Sequence, residues 1–238
     1  MYDLTRLSLS AMTDCSTHLR RLGQRASSME EVAGEVARFL YDNIGVGDQR
    51  ACALARVYKT HPLGQLPEEL QDFARSGAGT VGLHQLTKCL TLLATVGDEA
   101  AWNDRRSSRL HQAIPLPSPQ TVEQAPMVAQ LMRQLGLDIA QVLSPDPALL
   151  IDMSQTTFNV FHVQHALGSP FIPAQDFVTT HGIASVLGFG GVFPTGDLFC
   201  VILFSRAAIP PTTAELFKPL ALAVKVALVP FAGEQVFA

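Results

Sequence analysis

The chain has 238 residues, of which 47% are hydrophobic and 16% are charged, and its formal net charge at pH 7 is −4. This composition predicts a compact protein with an ample hydrophobic core. The small negative charge and the lack of a basic run argue against nucleic-acid binding. No apolar run approaches the roughly 20 residues that a membrane-spanning helix needs, so membrane insertion is not expected.

The N-terminus and the cysteines indicate where the protein works. The opening stretch MYDLTRLSLSAMTD is charged at Asp3 and Arg6 and has no apolar core of a signal peptide. Four cysteines lie far apart and form no Cys-x-x-Cys pair, which excludes a zinc ribbon or a thioredoxin-like motif. They are Cys15, Cys52, Cys89 and Cys200. Both observations predict a cytoplasmic protein with reduced, mostly buried thiols.

Hydrophobic spacing predicts two helices at the start of the chain. The first is LSLSAMTDCSTHLRRLG, which ends at Gly23, and the second is SSMEEVAGEVARFLYDN, in which Ser28 and Glu31 have the spacing of a capping box. Strands are predicted over 51–60 and 88–97, and the second is apolar on both faces, as a central strand is.

A short helix near 67–75 is predicted between these strands. After it, SGAGTVG lacks the Lys-Ser/Thr of a phosphate-binding loop and reads as a connector.

The middle of the chain predicts a short extended piece, AIPLPS, and a helix over 121–135 that ends at Gly136. The proline-punctuated stretch LSPDPALLIDMSQTT is predicted to be a connector, and 158–163 a strand.

The last third predicts a β-hairpin followed by a helix. IASVLGFGGVF and DLFCVILFSR are joined by PTGD, where Gly196 can take the left-handed position. A final amphipathic helix begins at a capping-box spacing, Thr212 to Glu215, and Pro219 should kink it near Glu215. The element order predicts an α+β domain whose antiparallel sheet is covered by helices.

This order resembles a GAF-type sensor domain. The resemblance rests on the terminal hairpin HGIASVLGFGGVFPTGDLFCVILFSR, the closing helix PPTTAELFKPLALAVKVAL, and MEEVAGEVARFLYDNI followed by ACALARVYKT. The segments KCLTLLATVGDEAAWNDR, HQAIPLPS, PDPALLIDMSQTTFNVFHV and SVLGFGG look like the N-terminal input region of bacterial histidine kinases and related two-component proteins.

The resemblance implies a division into an N-terminal helix for dimerisation (1–24), a GAF-like sensor domain (25–231), and a tail or start of a linker (232–238). The domain would bind a small ligand between its sheet and the middle segment and relay the change through its terminal helices. Its partners would be a second copy of the chain and a downstream kinase or other output module.

The chain departs from two ligand-binding GAF subfamilies. It lacks the Asn-Lys…Phe…Asp-Glu pattern of cyclic-nucleotide binders and the Cys-His pair that anchors bilins, so the ligand stays unknown. Residues 9–22 and 212–231, amphipathic at opposite ends, are the expected dimer interface.

His162 is the candidate for a cofactor ligand. In NVFHVQHALGSPF it would share one strand face with Phe158 and Val160, whereas His165 would point the other way, which disfavours a two-histidine metal site. On an apolar face His162 is either a hydrogen-bonded core residue or an axial haem ligand or hydrogen-bonding group for a small molecule. Both interpretations stay open at the level of sequence.

Other candidate ligand contacts come from two segments. In WNDRRSSRLH, Arg105 and Arg109 would form a guanidinium pair for a carboxylate or phosphate, with Trp102 and His111 nearby; the alternative is a solvated loop paired with acidic neighbours. In the hairpin, Gly188 and Gly190 lie on a small-residue face that either admits a ligand or packs closely against a helix. Cys200, on the partner strand, completes the set.

No motif supports catalysis. The Gly-x-Ser-x-Gly of a nucleophile elbow is absent, and no nucleophile is paired with a base in sequence. The sequence therefore predicts a sensory domain that is not an enzyme; the alternatives are a ligand-free dimerising scaffold and a haem-binding gas or redox sensor.

Overall fold

A computed structural model describes residues 1–79, 82–233 and 235–238. A small sheet near the N-terminus contains β1 (Tyr2–Asp3), β2 (Ile44–Val46) and β3 (Gln49–Arg50). The main sheet contains β4 (Cys52–Pro62), β5 (Lys88–Gly97), β6 (Ala113–Leu116), β7 (Phe161–Val163), β8 (Ser185–Val192) and β9 (Leu198–Ser205). Its order is β6-β5-β4-β9-β8-β7, and every neighbouring pair is antiparallel.

The helices lie on both faces of the main sheet. They are α1 (Leu9–Leu19), α2 (Met29–Asn43), α3 (Glu68–Gly77), α4 (Pro119–Glu123), α5 (Pro126–Leu135), α6 (Ile139–Leu143), α7 (Leu150–Gln155), α8 (Gln175–Thr180), α9 (Pro211–Glu215) and α10 (Lys218–Leu228). The α+β class with an antiparallel sheet flanked by helices is therefore confirmed.

Two hydrophobic cores lie on opposite faces of the sheet. On the face that we call the helical face, α1, α2 and α10 pack against alternate strand residues such as Ala55, Val57 and Phe189. On the opposite face, the pocket face, α5 and the segments around it pack against Leu54 and Tyr58. The period of two in a β-strand sends neighbouring residues to different cores.

Several local signals in the sequence are confirmed. The Ser28 side chain accepts a hydrogen bond from the Glu31 backbone N–H at the start of α2, as the capping box predicts. Gly136 and Gly196 both have φ of +82°, the left-handed values that end a helix and a hairpin turn. The predicted strand 88–97 matches β5 at both ends.

Proline residues decide the outcome of other local predictions. Pro126 lacks the amide hydrogen that a continuous helix requires, so the expected helix 121–135 is split into α4 and α5. The break that Pro219 predicts near Glu215 is confirmed, because α9 ends at Glu215 and α10 begins at Lys218 with Pro219 in its first turn. The capping box predicted from Thr212 to Glu215 is wrong, because α9 begins at Pro211 and no side chain caps it at Pro210.

Three element lengths also differ from the sequence prediction. The stretch predicted as a connector, residues 143–157, contains α7 and begins at the last residue of α6. The strand predicted at 158–163 forms only over Phe161–Val163, and the first helix ends at Leu19. The predicted connector SGAGTVG includes Thr80 and Val81, which lie outside the described residues. Within the part of the chain that the structure covers, no helix has both the length and the apolar character needed to cross a bilayer.

Candidate functional site

A pocket of about 390 Å³ lies on the pocket face of the sheet. Strands β4, β5, β6 and β9 form its floor with Leu54, Arg56, Tyr58, Leu90, Ile114, Cys200, Ile202 and Phe204. Its walls come from the middle of the chain and from the start of α8, with Trp102, His111, Pro126, Met127, Leu131, Ile172 and Phe177 among them. A concave and mainly apolar cavity of about 300 to 1,000 Å³ is the usual form of a small-molecule site.

One cation projects into this apolar surface. Arg56 lies in the middle of β4, and its Nη1 donates a hydrogen bond to the Tyr58 hydroxyl at 3.3 Å. Its Nε is buried and has no hydrogen-bond partner among the described residues. None of the described lining residues carries a carboxylate. Because a buried donor without a partner is costly, Arg56 favours a ligand that brings an acceptor or a negative charge.

An aromatic group closes one side of the pocket. Trp102 lies in a short 3₁₀ turn after β5, and its ring meets the rings of His181 at 4.5 Å and Phe177 at 5.6 Å. Phe177 in turn meets Phe204 of β9 at 5.2 Å. These edge-on contacts fix the indole, which is the single tryptophan of the chain, against the pocket.

Two further groups set the chemistry of the pocket near pH 7. His111 lies at the rim and is exposed, and burial of its inner side, together with the positive charge of Arg56, lowers its pKa from the ordinary value of 6.5. The ring is therefore neutral, so one of its nitrogens can donate a hydrogen bond and the other can accept one. Burial raises the pKa of the Cys200 thiol to about 12, so Cys200 contributes an inert apolar surface.

The structure brings together three of the eight residues that the sequence indicated. Trp102, His111 and Cys200 line the pocket. That they contact a ligand stays a prediction.

The two arginines predicted as a pair are not brought together. Arg105 turns away from the pocket and is buried, with its Nε 2.5 Å from a Glu30 carboxylate oxygen and an Nη 3.3 Å from Glu69. Arg109 is exposed, and neither arginine lines the pocket. The segment forms a 3₁₀ turn at 105–107 instead of a helix, so the four-residue spacing does not align the guanidinium groups.

His162 lies on the face opposite to the pocket. It pairs with Leu187 of β8, whose side chain belongs to the helical-face core, and the His162 backbone N–H donates to Gln134 at 2.6 Å. Its Nε2 is buried without a described partner, yet His162 lines neither the apolar pocket nor a second cavity beside Lys59 and Asp197. This position does not fit a haem ligand in the apolar pocket. His165 is exposed beyond the end of β7.

The glycines of the hairpin are covered by protein. A Cβ at Gly188 would lie 2.8 Å from Ile202 Cδ1 and 3.1 Å from a ring carbon of Phe161, and one at Gly190 would lie 2.1 Å from the Phe199 carbonyl oxygen. These glycines therefore permit close packing within the sheet, which leaves no room there for a ligand.

The residues that sequence reasoning missed lie on a regular strand. Arg56 and Tyr58 stand two apart in β4 and share the pocket face. The sequence feature that indicates Arg56 is an arginine within the apolar run ACALARVY. Arginine is almost never fully buried without a partner, so its presence in a buried strand indicates a partner or a ligand. Within the described part of the chain, no group of three His, Cys, Asp or Glu side chains is placed to hold a metal ion.

Comparison with solved structures finds several similar chains, and two of them are GAF domains. No family model matches the chain, and no curated protein matches it. The phycocyanobilin-bound GAF domain of a cyanobacterial phytochrome is 10% identical, with a TM-score of 0.39, over 95% of this chain and 97% of that one. The phycoerythrobilin-bound GAF domain of a cyanobacterial phytochrome is 14% identical, with a TM-score of 0.37, over 95% and 96%. At such low TM-scores and identities, the similarity supports no argument about function, which has to rest on the chemistry of the pocket.

Proposed function

We propose that the chain is a GAF-like sensory domain that binds a small, mainly apolar organic molecule carrying one anionic or acceptor group. The observation that supports it best is the pocket of about 390 Å³ whose apolar walls surround Arg56, a cation with no carboxylate among the described lining residues. Apolar walls supply affinity, and the single cation orients the ligand.

The proposed ligand bridges two parts of the chain. Its apolar body contacts β4 and β9 on the floor and α5 on the wall, and its anionic group lies near Arg56, with the neutral His111 as a further donor at the rim. Ligand binding then favours one arrangement of the sheet and the middle segment over another, and the terminal helix moves with it, which is a shift of populations.

The finer parts of the proposal concern the output. We infer a bacterial two-component pathway in the cytoplasm, with a histidine kinase or a related module downstream. The support is the resemblance of KCLTLLATVGDEAAWNDR, HQAIPLPS and SVLGFGG to the input region of such proteins. Binding without turnover is part of the same proposal, and it is supported by the lack of a motif that pairs a nucleophile with a base.

A homodimer completes the proposal. Leu222 and Val226 on α10 and Val229 just after it are exposed at 55%, 44% and 38%. Their spacing of four and then three residues places them in one stripe. The stripe lies within the segment 212–231 that the sequence indicates as an interface, and a second copy of α10 would cover it symmetrically.

The fluorescence of Trp102 tests the ligand proposal. The probe is 8-anilino-1-naphthalenesulfonate, an apolar aromatic anion, and the signal is energy transfer from Trp102. We expect saturable binding that weakens about tenfold or more in Arg56→Gln, because a hydrogen bond to a charged group contributes about 1.5 to 3 kcal/mol.

The matched control is Arg25→Gln, which removes an exposed arginine that does not line the pocket. Equal affinity in the unmodified chain and Arg56→Gln would contradict the role of Arg56. Absence of saturable binding in the unmodified chain would favour the ligand-free scaffold.

A further inference from the structure

A second cavity, of about 540 Å³, lies away from the apolar pocket. It is bounded by the end of β4, the start of β5, the turn between β8 and β9, and the C-terminal tail. The charged and aromatic residues that line it include Lys59, His61, Lys88, Asp197 and Phe237. None of these belongs to the pocket assigned to the sensory ligand.

The lining of this second cavity carries an excess of positive charge. Asp197 accepts from Lys59 Nζ at 3.0 Å and from Lys88 Nζ at 2.6 Å, and it also accepts from the Thr195 hydroxyl at 2.9 Å. The side chains of Lys59 and Asp197 are only 2% and 8% exposed. Two ammonium groups thus face the only carboxylate that the described lining residues provide, which leaves one buried positive charge uncompensated.

Several hydrogen-bonding positions at the cavity are unused. An ammonium group has three donors, and Lys88 uses one of them within the described chain. His61 is 2% exposed, and neither of its ring nitrogens has a partner among the described residues. Because buried polar groups in folded proteins nearly always have partners, an imidazole whose two nitrogens lack protein partners at the wall of a cavity points to a ligand-binding role.

We propose that this cavity binds a small molecule with an oxyanion group, a carboxylate or a phosphate, through Lys88, Lys59 and His61. The anion neutralises the second lysine and accepts a hydrogen bond from the His61 ring. The ring of Phe237 lies 5.2 Å from that of His61, so the C-terminal tail forms the wall opposite the strand. A volume of about 540 Å³ exceeds a bare phosphate and suits the anionic end of a larger molecule.

Calorimetric titration with inorganic phosphate and, separately, with citrate at constant ionic strength tests this site. We expect one of the two anions to bind and to raise the melting temperature, and the preferred one distinguishes a phosphate from a carboxylate ligand. Lys88→Gln should bind about tenfold or more weakly, because it removes one charged donor. This variant still leaves the neutral Lys59–Asp197 pair, so it should fold.

Two further variants sharpen the test. His61→Phe keeps the aromatic contact with Phe237 and should also weaken binding, whereas Lys218→Gln, which removes a lysine outside the cavity, should bind like the unmodified chain. Glu234 belongs to the C-terminal tail that lines the cavity, but it lies outside the described residues. The variant Glu234→Gln is therefore titrated as well, to test whether this carboxylate competes with the added anion.

The proposal is overturned if neither anion binds, or if Lys88→Gln binds as tightly as the unmodified chain. Equal weakening in Lys218→Gln would show non-specific attraction. Binding seen only in Glu234→Gln would show that the chain's own carboxylate fills the cavity.

Discussion

At the scale of the residue, the most informative feature is a cluster of buried polar side chains at the end of β4. Lys59, His61 and Thr60 form the end of β4, and each is at most 2% exposed. Burial lowers the pKa of Lys59 even though Asp197 opposes that change. For Asp197, burial raises the pKa, but the charges of Lys59 and Lys88 outweigh it and the net pKa is lowered. A buried ion pair contributes little net stability, so the cluster is compatible with the anion site proposed for this cavity.

The protonation of His61 should make the protein sensitive to acid. Burial, and then the charge of Lys59, lowers the pKa of His61 from 6.5 to about 3. The unfolded chain therefore binds one more proton than the folded chain between these values, and stability falls as the pH drops through that range. We expect the free energy of unfolding to fall by about 3 kcal/mol more in the unmodified chain than in His61→Phe between pH 7 and pH 4.

Urea denaturation at each pH measures this difference. His165→Phe is the matched control, because it removes an exposed histidine, and its pH dependence should follow that of the unmodified chain. Parallel curves for His61→Phe and the unmodified chain would show that His61 is not buried as a neutral ring.

The candidate residues also show how far sequence reasoning reaches at this scale. The segment WNDRRSSRLH predicts a pocket wall with Trp102 and His111, and both residues line the pocket. The prediction for Arg105 is wrong because its partner Glu30 lies 75 positions away, and no local pattern reveals an ion pair at that separation. Alternation predicts an apolar face for His162, but which of the two apolar faces holds the pocket depends on the packing of distant helices.

At the scale of the element, local signals predict the long strands of the main sheet but miss short elements of both kinds, among them the strands β1, β2 and β3. The hairpin of β8 and β9 follows from two apolar runs on either side of a turn glycine. These two local signals are enough to predict the hairpin without knowledge of the tertiary structure. The helices α6 and α7 are only 5 and 6 residues long, and segments this short have little intrinsic helicity. Their existence depends on packing against the rest of the domain, which the sequence does not display.

The exposed stripe on α10 predicts the effect of one substitution on assembly. Val226→Glu places a charge at the centre of Leu222, Val226 and Val229, so burying the stripe against a second copy becomes unfavourable. We expect the unmodified chain to be a dimer and Val226→Glu a monomer by light scattering coupled to gel filtration. Stability should change little, because Val226 is 44% exposed in the single chain.

The control for assembly is Leu167→Glu, which introduces the same charge at a leucine that is 70% exposed outside α10. It should remain a dimer. A monomeric unmodified chain, or a dimer that survives Val226→Glu, would exclude α10 as the interface.

At the scale of the whole molecule, the sheet separates two environments. Its helical face holds α1, α2 and α10, whereas its pocket face holds the apolar pocket. The pairing of β4 with β5 shifts by one residue between Val57 and Tyr58, and the extra residue, Leu93, lies in β5. The alternation along β4 is therefore unbroken, with Val57 in the helical-face core and Tyr58 in the pocket-face core. The fold class and the alternation that puts Arg56 beside Leu54 and Tyr58 are predictable from periodicity, but which face of the sheet holds the pocket is not.

The central claim is that the pocket on the sheet binds a small molecule, and filling that pocket tests it most directly. Ala125 lines the pocket at the start of α5, and Ala125→Phe introduces a ring without adding a second tryptophan. We predict that energy transfer from Trp102 to 8-anilino-1-naphthalenesulfonate is saturable in the unmodified chain and in the exposed control Ala148→Phe, and is lost in folded Ala125→Phe. Transfer of equal strength in all three proteins would show that the probe binds elsewhere, and it would contradict the proposed site.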